Sequence, residues 1–96
     1  MKITEVQITP IKPYNGLLGF ASLVLDDKLY LGSIGVFQKL DGSDYRLTYP
    51  TKMVGAKQIN IYHPINKEAS KAIEKAIFKK CNEIFDNDRH NSINNS

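Results

Sequence analysis

Apolar and polar residues alternate near the start of the chain. Val6 and Ile8 stand between Glu5, Gln7 and Thr9, and the β-branched content of residues 2–11 predicts a strand with one wet face. Pro10 and Pro13 are expected to end its pairing, because proline brings no N–H to a ladder. Tyr14, Asn15 and Gly16 form a turn. Residues 18–25 are almost all apolar, the pattern of a strand covered on both faces and placed centrally in a sheet. Asp26, Asp27 and Lys28 are turn residues at hairpin length, so the next strand, residues 29–38, is expected to pair antiparallel with its predecessor. Gly32 and Gly35 interrupt that strand, marking either a bulge or the close approach of another backbone.

Leu40, Asp41, Gly42, Ser43 and Asp44 predict a further turn, followed by a short strand over residues 45–49 with Tyr45, Leu47 and Tyr49 on one face. Pro50 stops it. Residues 51–58, with Gly55 in their middle, read as an exposed loop, after which Ile59 and Ile61 flank Asn60 in a brief extended segment. Pro64 holds His63 out of the helical region, Asn66 is a favoured N-cap, and Glu68 suits the positive end of a helix dipole. Over residues 67–85 the positions Ala69, Ala72, Ile73, Ala76, Ile77, Ile84 and Phe85 recur at helical spacing and form one stripe for packing on the sheet. Cys81 falls close to that stripe and reads as a small buried hydrophobe before a reactive thiol. Residues 87–96 hold four Asn and two Ser against one aliphatic residue, Ile93, so burial there cannot offset the ordering entropy and a disordered polar tail is expected. The fold class is therefore α+β: a small antiparallel β-sheet followed by a C-terminal helix, one domain over residues 1–86 and a tail over 87–96.

The 96 residues suffice for one domain. A chain of this size buries only about two-thirds of the surface its unfolded form exposes, so its core is thin and oligomerisation would help. At 42% hydrophobic and net +3 the chain is too apolar and too weakly charged for disorder along its whole length. No apolar run approaches the ~20 residues that span a bilayer, and no basic segment followed by an apolar one opens the chain, so a soluble cytoplasmic protein without a membrane partner is expected. Cys81 has no intrachain partner, and His63 and His90 are the only histidines, so neither a disulfide nor a metal site is expected.

The charge is unevenly placed. From Arg46 to Lys67 there are four cations, Arg46, Lys52, Lys57 and Lys67, and no acidic residue, while the chain on either side is neutral or slightly acidic. These cations are interleaved with Tyr45, Tyr49, Thr51 and Tyr62. Lysine and arginine neutralise phosphates, hydroxyls donate to phosphate oxygens, and an exposed tyrosine ring can stack a splayed base. Ordinary solvated surface and packed strand tyrosines would produce the same pattern. Enzyme templates are missing: no G-x-S-x-G elbow, P-loop, G-x-G-x-x-G, H-E-x-x-H or C-x-x-C occurs. The adjacent Asp26 and Asp27 suit a turn better than an acid/base pair, and His63 before proline suits a structural hydrogen bond. No enzymatic activity, cofactor or small-molecule substrate is expected.

Several segments together resemble a known family. They are Ile3-Thr4-Glu5-Val6, the run Ala21-Ser22-Leu23-Val24-Leu25-Asp26-Asp27, Tyr49-Pro50-Thr51-Lys52, and His63-Pro64-Ile65-Asn66 leading into the helix. In order and spacing, over about residues 2–85, they are similar to the stage V sporulation protein G (SpoVG) family of small bacterial regulators, also called septation proteins. The resemblance implies a homodimer formed through strand pairing, and binding of DNA, and also RNA, through a basic loop following a Pro-Ser-Lys-Arg pattern. Thr51 and Lys52 match the Ser and Lys of that pattern. Met53 stands where arginine is usual, which removes a bidentate phosphate donor, and Lys57 a few residues on restores charge without that geometry. The expected function is a nucleic-acid-binding regulator of the sporulation or septation type, with Arg46, Thr51, Lys52 and Lys57 as binding residues. The alternative is a non-enzymatic protein-interaction module acting in cell division or development.

Overall fold

Two hairpin turns set the topology. Asn15 (φ 52°) and Gly16 (φ 88°) join β1 (Ile3–Tyr14) to β2 (Leu17–Leu25), and Asp26 (φ 53°) and Asp27 (φ 55°) turn β2 back into β3 (Leu29–Gln38). Left-handed conformation at both central residues has the twist that antiparallel strands need, and Asn, Gly and Asp adopt it most readily. The computed structural model describes residues 1–42 and 44–86; Ser43 of the next turn and the expected tail, 87–96, lie outside the described residues. That turn delivers β4 (Tyr45–Thr48), completing an antiparallel sheet in the order β1-β2-β3-β4. Asp26 and Asp27 are occupied at their turn: the Asp26 carboxylate accepts from the Lys2 backbone N–H at 2.7 Å and Asp27 pairs with the Lys2 ammonium at 2.8 Å.

β1 does not stop at its prolines. Pro10 pairs with Gly19 and Tyr14 with Leu17, with a register irregularity between them. β1 is an edge strand, where a ring can replace an N–H that no neighbour requires. Three bulges curl the sheet. Glu5 (φ 51°) and Val6 oppose the single residue Leu23, Gly32 and Ser33 (φ 60°) oppose Ser22, and Leu18 is the extra residue between the pairs Leu17–Phe37 and Gly19–Val36. A bulge reverses the alternation of faces beyond it and sharpens the twist. Gly19 is needed for close approach: a Cβ there would stand 2.5 Å from the Thr9 carbonyl oxygen across the β1–β2 pair.

The helix α1 (Lys67–Cys81) starts where Asn66 Oδ1 accepts from the Ala69 N–H at 2.8 Å. Its apolar stripe is shorter in regular form than the periodicity predicts, because a π-helical turn, Asn82–Asp86, replaces the last α turn. That turn still delivers Phe85 to the core, with its ring 6.1 Å from Tyr45. Ala21, Leu23, Ile34, Val36 and Tyr45 from the sheet meet Ile73, Ile77 and Cys81 from the helix, all buried. Cys81 is the expected buried hydrophobe, and burial pushes its thiol up to about 11.

Two further segments differ from expectation. β2 is interior in the sheet, yet only its helix-facing side is covered: Phe20, which points to the other side, is 43% exposed. And residues 51–58 are not a loop but run into the extended segment expected around Asn60. They form a separate two-stranded ribbon, β5 (Thr51–Val54) and β6 (Lys57–Asn60), turning at Gly55 (φ 63°) and Ala56. Its strands of four residues are too short to announce themselves by periodicity.

Candidate nucleic-acid interface

The ribbon register places its side chains. Thr51 pairs with Asn60, Lys52 with Ile59, Met53 with Gln58 and Val54 with Lys57. Directly opposed residues share a face and neighbours along a strand do not, so Lys52, Val54, Lys57 and Ile59 occupy one face and Thr51, Met53, Gln58 and Asn60 the other. Every residue of both strands is exposed. The two lysines thus stand on one side of a projecting ribbon with two aliphatic side chains between them. Thr51, expected with them, faces the opposite way and its hydroxyl accepts from Gln58 Nε2 at 2.8 Å. Met53 shares that opposite face and is 60% exposed.

Arg46 is not on the ribbon. It sits on β4, and its guanidinium carbon lies 4.7 Å from the centre of the Phe37 ring, a cation–π contact of about 0.5–1 kcal/mol at an exposed site. The structure therefore joins Lys52 with Lys57 on the ribbon and places Arg46 on the four-stranded sheet.

The interleaved tyrosines serve the core instead. Tyr45 is buried, its ring 5.9 Å from Phe78. Tyr49 and Tyr62 meet edge to face at 6.1 Å. The Tyr62 hydroxyl donates to the Gly32 carbonyl at 2.5 Å, which ties the chain leaving the ribbon to the bulge in β3. Among the described residues the buried Tyr49 hydroxyl has no hydrogen-bond partner, and its pKa is pushed up to about 12 by burial first, then by the Glu74 carboxylate and Tyr62. Of the two readings open for these tyrosines, packing is the one the structure shows for all three. The exposed aromatics are Tyr14, Phe20 and Tyr30, at 71%, 43% and 73% exposure, and only the sheet register could single them out. His63 is exposed and contacts the Pro64 carbonyl through Nδ1 at 3.1 Å, a local contact at the start of the helix.

Among the described residues no group of three or more His, Cys, Asp or Glu is arranged to hold a metal ion, and no helix is long and apolar enough to cross a membrane. The profile of the SpoVG family matches residues 1–83. The chain belongs to the SpoVG family. Septation protein SpoVG of Finegoldia magna is 34% identical over 87 residues, covering 90% of this chain and 79% of that protein. Its namesake in Treponema denticola is 32% identical over 79 residues, 82% of this chain and 84% of that one. The SpoVG protein of Phytoplasma australiense is 29% identical over 87 residues, 91% and 90% of the two chains. The family match includes the ribbon and α1, so both are parts of the SpoVG domain.

Proposed function

We propose that this chain is a homodimeric nucleic-acid-binding regulator acting in sporulation or septation, and that the face of the ribbon carrying Lys52 and Lys57 contacts the phosphate backbone. The observation that carries this reading is the placement of both lysines on one exposed face, inside a stretch from Arg46 to Lys67 without a carboxylate. Cations on a slim two-stranded arm can reach a polyanion without steric hindrance from the rest of the domain. The dimer is supported by the ribbon itself: a lone two-stranded hairpin is marginal in water, and this one exposes Met53, Val54 and Ile59. Strand pairing with a second copy along a ribbon edge would satisfy its open backbone N–H and C=O groups, leave the lysine face uncovered and bring the two lysine pairs side by side.

Binding to random-sequence duplex DNA across a salt series tests the reading. Two lysines per subunit, joined or not by Arg46, correspond to a log K against log salt slope between about −4 and −5 for a dimer. A flat response would sink it, and light scattering that shows a monomer at micromolar concentration would remove the dimer. The second reading, a protein-interaction module, is favoured by the apolar exposure at and after the ribbon, where Ile61 is 60% and Ile65 87% exposed. It prevails if the purified protein binds neither DNA nor RNA at low salt yet captures one defined protein partner.

A further inference from the structure

The face of the main sheet turned away from α1 carries an ordered row. Tyr14 pairs with Leu17, Leu17 with Phe37, and Phe37 with Arg46, so one line of side chains crosses all four strands. The next line is Thr9, Phe20, Gly35 and Thr48. The bulge at Leu18 sends that residue into the core and leaves Leu17 on the same side as Phe20. None of the apolar residues in these rows belongs to the cluster that seats the helix. Tyr14 and Phe20 are exposed, Leu17 and Phe37 half-buried, and the Arg46 guanidinium lies over Phe37.

Beside Phe37 and Arg46 the surface opens into a depression of about 540 Å³, bounded also by Asn15, Gln38, Lys39 and Asp41. The groups are complementary to one kind of ligand. Aromatic rings offer flat apolar area to a base, Arg46 and Lys39 offer positive charge to phosphates, and the Asn15 and Gln38 amides can donate to and accept from a base edge. Paired bases in a duplex present no free ring face, whereas a single strand does. A second copy is a poorer occupant, since a two-fold contact would press this patch and its cations against itself.

We infer that this open sheet face is a stacking platform for unpaired bases of single-stranded nucleic acid, separate from the duplex-contacting lysines of the ribbon. The inference rests on the nucleic-acid reading above and adds to it a surface and a strandedness. Four antiparallel strands backed by a helix, with rings on the open side, are a geometry in which successive bases can lie flat on neighbouring strands.

The test uses the full chain with labelled oligo(dT), oligo(U) and a random-sequence duplex, read by fluorescence anisotropy. Tyr14→Ala and Phe20→Ala are each expected to weaken single-strand binding about tenfold, in line with the loss of one base stack, and to leave duplex binding within about twofold. Phe20→Trp, which keeps a ring, is expected to retain single-strand binding. Unchanged affinity for single strands in both alanine variants, or equal losses on all probes, overturns the platform. So does a change from dimer to monomer in Phe20→Ala by light scattering, which would mark the face as a subunit seam. An unmodified chain that binds duplex but no single strand overturns the platform alone, while one that binds no probe overturns the nucleic-acid reading with it.

Discussion

Lys52 and Lys57 stand on the same face of the β5–β6 ribbon, because Lys52 is opposed by Ile59 and Lys57 by Val54. Their charges therefore project from one side of the ribbon. Lys52→Ala and Lys57→Ala are each expected to lower duplex affinity at every sequence and to reduce the steepness of the salt dependence by about 2 for a dimer, because each subunit then neutralises one phosphate fewer. Met53→Ala, on the opposite face, is expected to leave affinity within about twofold. A salt titration of the three variants separates these outcomes, and a Met53 effect equal to the lysines' would show that the ribbon approaches its partner by its other face.

Ile77 is fully buried between helix and sheet. Its replacement by alanine removes three carbons from the centre of a thin core, so Ile77→Ala is expected to cost about 2–5 kcal/mol. Urea denaturation measures it. A cost below about 1 kcal/mol would mean that the helix is not held by this residue.

Gly19 faces the Thr9 backbone with no room for a side chain. Gly19→Ala is expected to force β1 away from β2 and to destabilise the fold by about 1–3 kcal/mol, as overpacking does. Hydrogen exchange should locate the loss in the β1–β2 ladder. Uniform protection in the variant would contradict this account.

The buried Cys81 thiol is held protonated, with its pKa raised from 9.0 to about 11 by burial. The folded state binds this proton more tightly than the unfolded one. The resulting contribution to stability is therefore fully present below pH 9.0 and lost as pH rises toward about 11. Tyr49 adds a loss of the same sign, because its folded pKa lies near 12 against an ordinary 10.0. Stability to urea is expected to decline across this alkaline window. At pH 8 a thiol reagent is expected to label Cys81 only after unfolding; rapid labelling of the native protein would show that the helix seat opens readily.

Much of the framework is legible along the chain. The bounds of β3, the Asp26–Asp27 turn, the Asn66 cap and the burial of Cys81 all follow from neighbouring residues. Each depends on local dihedral preference, capping or periodicity within a few positions. The cationic stretch that includes Lys52 and Lys57 is likewise visible as charge without counter-charge.

What lies beyond the sequence depends on partners remote along it. β1 continues past Pro10 because it is an edge strand, and edge position is a property of the sheet. Thr51 and Lys52 look like one motif in the chain but part to opposite faces once β5 pairs with β6. Arg46 belongs by sequence with the ribbon lysines, yet β4 pairing sets it over Phe37.

The sequence by itself determined the presence of strands β1 to β4, the two hairpin turns that join β1, β2 and β3, the helix start and the sign of the exposed charge, because those follow from conformational preferences and composition that act locally. Only the tertiary structure decided which rings are available to a partner. Tyr45, Tyr49 and Tyr62 pack inward while Tyr14 and Phe20 remain uncovered. The physical reason is that α1 covers a single face of the sheet, and the bulges at Glu5–Val6, Leu18 and Gly32–Ser33 determine which side chains that face receives.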